Sequence, residues 1–155
     1  MDYVYLTIEQ AIEIHGKTVD VSGGGARGQL EIGKLDSVLQ NIQNDDWYPS
    51  FEEKLTHLFH SACMFHCFED GNKRIAITLC AQMLLLNGYL RSVNGFIRES
   101  ENISYHVAAG AIDKLLLGEW MHAVLHGTED DESLKLAIFN AISNSPHNPE
   151  STQNF

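Results

Sequence analysis

The sequence predicts an all-α fold, a compact helical bundle interrupted by one glycine-rich loop or short hairpin. Three observations predict it. Apolar residues recur at helical spacing behind recognisable caps along most of the chain, and alternating strand patterns are scarce. The stretch KRIAITLCAQMLLLNGY is apolar almost all round, which marks a central helix enclosed by others. At 155 residues and 44% hydrophobic, the chain is long enough to bury a single core.

The elements follow in order. Thr7 with Gln10 forms a capping box, and Ile8, Ala11, Ile12 and His15 continue it as a short first helix. Residues 22–28, SGGGARG, hold no regular structure, because glycine opens left-handed backbone space and packs no side chain. Over 30–42, Leu35, Val38, Leu39 and Ile42 trace one helical face, ended by NDDW and Pro49. Ser50 with Glu53 caps the next helix, whose Phe51, Leu55, Leu58, Phe59, Ala62 and Phe65 predict deep burial. Asn87 and Gly88 stop the central helix. Beyond Gly95, helices are expected over 99–109, 113–125 and 134–142, the last behind the acidic run EDDE, which suits the positive end of a helix dipole. Its apolar face implies docking on the body or on a second copy, so a homo-oligomer is one expectation. Residues 145–155, with two of the three prolines, are expected to be disordered.

Composition narrows the function. With 21 acidic and 10 basic side chains the formal charge is −11, which argues against direct nucleic-acid binding while allowing a small basic pocket. The three cysteines, Cys63, Cys67 and Cys80, are odd in number and crowded together, unlike a secreted disulfide framework. No run of some 18 apolar residues and no secretory signal pattern occurs, so a cytoplasmic, non-membrane protein is expected. His57, His60, Cys63 and His66 recur every third residue, but each such step turns a helix by about 300°, placing His57 and His66 on opposite faces, unable to share one zinc. His57 and His60 are expected to pack on the helix or face solvent, and Cys63 and Cys80 to fill the core.

The chemistry concentrates in nine residues, His66, Cys67, Phe68, Glu69, Asp70, Gly71, Asn72, Lys73 and Arg74, between two apolar helices. Gly71 and Asn72 suit a tight turn, and the helix start after them presents unpaired amides and a positive dipole end, a ready anion site. Lys73 and Arg74 add two cations where the dipole disfavours them, so something negative must offset them; phosphate is the natural candidate. Asp70 is a hard oxygen donor of the kind that holds Mg2+ together with substrate phosphates. His66 supplies a base that titrates near neutral pH. Phe68, between polar neighbours, pins the loop to the core. These parts match phosphoryl-type chemistry.

HCFEDGNKR resembles the HxFx(D/E)GN(G/K)R signature of Fic/Doc proteins at every fixed position. Upstream, LTIEQAIEIHG and SGGGARGQLEIGKLDSVL resemble the first helix and flap of the Doc branch, so the likeness covers about residues 3–125. It implies a catalytic unit over 1–126, a C-terminal extension with a helix over 127–144, and a tail over 145–155. It further implies that His66 deprotonates a target hydroxyl, that Asp70 holds Mg2+, and that Gly71, Asn72, Lys73 and Arg74 contact the phosphates of ATP. Gly23, Gly24, Gly25 and Arg27 would form a flap that pairs edge-on with an extended target segment.

Lys73 stands where many AMP-transferring members have glycine, and Cys67 where they have proline; both match the Doc branch, although Gly71 replaces an alanine common there. The resemblance therefore implies a toxin that phosphorylates a translation factor such as elongation factor Tu and is held by an antitoxin in trans. The inhibitory pattern (S/T)xxxE(G/N) has no clean copy: TEDDES at 128–133 fails its last position. Transfer of AMP to a protein hydroxyl and a non-catalytic nucleotide- or partner-binding domain are the alternatives.

Overall fold

The computed structural model describes residues 2–21, 32–64 and 72–145. Among them are seven helices and no strand: α1 (Ile8–Val21), α2 (Ile32–Asn41), α3 (Phe51–Met64), α4 (Asn72–Leu86), α5 (Leu90–Ala108), α6 (Lys114–His126) and α7 (Glu132–Ser143). The all-helical expectation holds. The glycine-rich segment and the expected disordered tail, bar its first residue, lie outside the described residues.

Local chemistry sets the helix starts. The Thr7 hydroxyl accepts from the Gln10 amide at 3.1 Å while the Gln10 side chain accepts from the Thr7 amide at 2.9 Å, satisfying two donors reciprocally. Ser50 accepts from Glu53 N at 3.1 Å to open α3, Asp113 from Leu116 N at 2.8 Å to open α6, and Asp131 from Leu134 N at 3.0 Å to open α7. Gly88, at φ 85°, adopts the left-handed turn that ends α4, a conformation strained for any residue with a Cβ.

α3 and α4 form the centre. α3 packs on α2, α4, α5 and α6, α4 also on α1 and α5, and α7 rests on α6. Phe59 of α3, Phe96 of α5 and Trp120 of α6 meet with ring centroids 5.6–6.0 Å apart, and the Trp120 indole donates to Glu99 at 2.9 Å. Aromatic contacts of this kind contribute about 0.5–1.5 kcal/mol each beyond their area burial. Tyr3, Phe51 and Tyr89 stack in succession at 4.8 Å. Asn87 does more than stop α4: its amide donates to Val4 O at 2.9 Å and accepts from Val4 N at 2.7 Å, strapping the N-terminal segment across the helix end.

Lys54 is a cation enclosed in the core. It has no exposed surface, and its ammonium donates to Ile42 O and Asp45 Oδ1, both at 2.7 Å, below the Tyr5 ring. Burial disfavours its charge, but hydrogen bonds to Asp45 and Tyr5 outweigh that and leave its pKa raised, while Lys54 holds Asp45 below the usual carboxylate range.

Three expectations are corrected. α1 runs to Val21 rather than stopping soon after His15, and Gly16 lies buried within it. α5 begins at Leu90, not near 99, because Val93, Phe96, Ser100, Ile103 and Val107 form one buried stripe that runs straight through Gly95. α4 is not enclosed on all sides: Leu85 and Leu86 are exposed, and Thr78, Gln82 and Leu86 wall a cavity shared with α1. Its apolar far face lines clefts rather than a neighbouring helix.

Candidate nucleotide site

α4 starts at Asn72, so the described third of the motif, its last three residues, forms the first turn. Asn72 is half-buried, while Lys73 and Arg74 are exposed. The Thr78 hydroxyl donates to Arg74 O at 2.8 Å, one turn along. Beside them opens a cleft of about 870 Å³ between α4 and α5, with Thr18 of α1 also on its lining. Ile77, Ile97 and Tyr105 supply apolar and aromatic wall.

Arg98 of α5 lines the same cleft, bringing three of the chain's ten Lys and Arg residues to one concavity of a strongly acidic protein; Glu101 is the acidic group on that wall. The Arg98 guanidinium approaches Glu129 at 3.4 Å. The Glu129 carboxylate fits because Gly95 has no Cβ, which would sit 2.5 Å from Glu129 Oε1. The other oxygen, Oε2, is buried with no hydrogen-bond partner. Two cations at the α4 start and one from the middle of α5, beside the Tyr105 ring, form a concavity that suits a polyphosphate with a planar base.

Asn72, Lys73 and Arg74 therefore stand together. His66, Phe68, Asp70, Gly71, Gly23, Gly24, Gly25 and Arg27 lie outside the described residues. Sequence reasoning missed Arg98 and Tyr105. A helix starting at Leu90 would have placed both on one face of α5, but no local motif marks them.

The histidines and cysteines of α3 act structurally. His57 stacks on Tyr48 at 4.6 Å, and its Nδ1 accepts from Lys114 at 2.8 Å; burial, then the Lys114 and His60 charges, push its pKa down to about 4. Burial and Lys114 lower that of His60 as well. Burial pushes the Cys63 thiol up to about 12, against the opposing charge of Lys73, and raises Cys80 well above its ordinary value. Both cysteines are buried and unbridged.

A sequence model of the Fic/DOC family matches residues 5–84, half of the chain, from the segment before α1 through nearly all of α4. The chain belongs to the Fic/DOC family. Fic/DOC proteins are generally protein-modifying transferases that use a nucleoside triphosphate with Mg2+. The match spans the whole of HCFEDGNKR, and the seven helices agree with the Fic/DOC helical fold. No curated protein and no solved structure matches this Fic/DOC chain. Among its described residues, no helix is long and apolar enough to cross a membrane.

Proposed function

We propose that this Fic/DOC protein is a Doc-type kinase that moves the terminal phosphoryl group of ATP to a hydroxyl of a target protein, and that it works as the toxin of a toxin–antitoxin pair. The observation that carries the reading is Lys73. It occupies the position where many AMP-transferring members have glycine, and its long cation borders the α4–α5 cleft where a small residue would leave room for a different phosphate pose.

The three cations of the cleft and the amides of the α4 start fit a triphosphate, and Asp70 is of the chemical type that holds Mg2+. When bound, Mg2+ offsets charge on the phosphate oxygens. His66 takes the proton of the target hydroxyl as its oxygen attacks the γ-phosphorus. The bond to the bridging oxygen breaks, and ADP leaves. Lys73, Arg74 and Arg98 face the charge that builds on the phosphates. Gly23, Gly24, Gly25 and Arg27 hold the target as an added extended segment, and a translation factor such as elongation factor Tu is the proposed target. Control comes from a separate antitoxin: Glu132, the glutamate of the imperfect TEDDES pattern, is exposed on the first turn of α7.

ATP labelled separately at its α and γ phosphates, incubated with Mg2+, the protein and a bacterial lysate, tests this. The γ label on a lysate protein is expected. The α label instead means AMP transfer and overturns the kinase reading, while neither label with intact ATP binding means a binding module.

A further inference from the structure

A second group of chemistry-bearing side chains lies on the face where α3 meets α6. His122 and His126 stand one turn apart on α6, so both rings project from the same side of the helix, with centroids 4.1 Å apart. Glu52, in the first turn of α3, places Oε2 2.5 Å from His122 Nδ1. His126 Nδ1 lies 2.8 Å from the His122 carbonyl. A carbonyl only accepts, so Nδ1 of His126 carries the proton and its Nε2 keeps a free lone pair, the tautomer fixing typical of metal-binding imidazoles.

One ligand atom from each of the three side chains lies within 4.8 Å of the other two. Zinc bonds to nitrogen and oxygen run about 2.0–2.2 Å, which sets tetrahedral donors about 3.3 Å apart. Side-chain rotation closes the difference, since His122 is 56% exposed and Glu52 28%. Two imidazoles with one carboxylate select a borderline ion such as zinc over Mg2+, which prefers oxygen and keeps its water. The formal charge of −11 favours a dication, and Glu119 shares both adjoining cavities with His122.

We infer that Glu52, His122 and His126 form a zinc site that ties α3 to α6, with water completing the fourth position. Zinc replaces the Glu52–His122 hydrogen bond. That bond keeps a proton on His122 Nδ1; zinc takes the Nδ1 lone pair as this N–H bond breaks and its proton passes to water, the ring ends neutral with its proton on Nε2, and no group is oxidised. The site is separate from the nucleotide cleft: Glu52 lies near the start of α3, roughly 18 Å of helix axis from Met64, after which the motif begins.

The test is titration of the whole chain, stripped of metal, with zinc chloride, followed by calorimetry and by the thermal midpoint. Binding of one zinc per chain at this site and a higher midpoint are expected. His122→Ala, His126→Ala and Glu52→Gln should each weaken that binding by roughly tenfold or more and remove the zinc-dependent rise. Their metal-free midpoints and helical circular dichroism show that each variant is folded, with exposed His126→Gln as a further check. Unchanged zinc affinity in the His122→Ala/His126→Ala double variant, with zinc held by Cys67 or other histidines, overturns the inference, as does the absence of any zinc-dependent rise in the unaltered chain.

Discussion

At His57 a single imidazole lies between the Tyr48 ring, the Lys114 ammonium and the neighbouring His60. Its Nδ1 accepts from Lys114, so the folded chain needs it neutral, and its pKa stands at about 4 against about 6.5 when unfolded. Between those values the unfolded chain binds a proton that the folded chain refuses. Stability is therefore full above pH about 6.5 and is lost as the pH falls toward about 4. His60 and His106, also lowered by burial, act in the same sense below the ordinary histidine range. Thermal midpoints measured across the His57 interval should fall with pH in the unaltered chain and fall less steeply in His57→Gln, whose amide can still accept from Lys114. Equal slopes would show that His57 is not the group responsible. The half-exposed surroundings keep the effect modest. The Asp45–Lys54 pair titrates elsewhere. With the carboxylate pKa depressed, its contribution is present above about pH 4 and lost only in stronger acid.

At the scale of the element, α5 and the turn before α7 are coupled through one missing methyl group. Glycine inside a helix costs about 1 kcal/mol relative to alanine. At Gly95 the close approach of Glu129, itself paired with Arg98, offsets that cost. Gly95→Ala alone should displace the carboxylate and yield less than the full helix-propensity gain. In a Glu129→Ala background the same change should stabilise by up to about 1 kcal/mol. The urea-unfolding free energies of the four proteins measure this coupling, and strict additivity would sink it. The caps of α1 and α3 were legible in the sequence because each spans three residues and depends on no distant partner, whereas Asp131 before α7 was read only as part of an acidic run. The start of α5 was not. Gly95 looks like a breaker unless the chain 34 residues later is known to press against it.

For the whole molecule, the core and the proposed chemistry occupy different parts of the chain. Phe59, Phe96 and Trp120, with Leu55 and Leu58 of α3 and Leu79 and Leu84 of α4, are buried, and none of them belongs to the motif. Replacing His66 by alanine should abolish transfer to the target while leaving the thermal midpoint and helical circular dichroism close to those of the unaltered chain. Retained transfer in that variant, measured with the labelled nucleotide, would remove His66 as the base. Of the candidate site, Asn72, Lys73 and Arg74 could be named from the sequence because the nine-residue motif is contiguous. Arg98 and Tyr105 reach the same cleft from α5 only because α4 and α5 turn back on each other at Gly88. Glu52, His122 and His126 are likewise separated by 70 residues and joined by the packing of α3 on α6. The sequence by itself determined the helical class, the caps and the Fic/DOC motif, all of which rest on contacts within a turn or two of chain. Tertiary structure decided which cations share a cleft, why a glycine interrupts α5 without breaking it, and where two histidines meet a glutamate. Those depend on distances between residues far apart in the chain, which packing sets and local pattern does not encode.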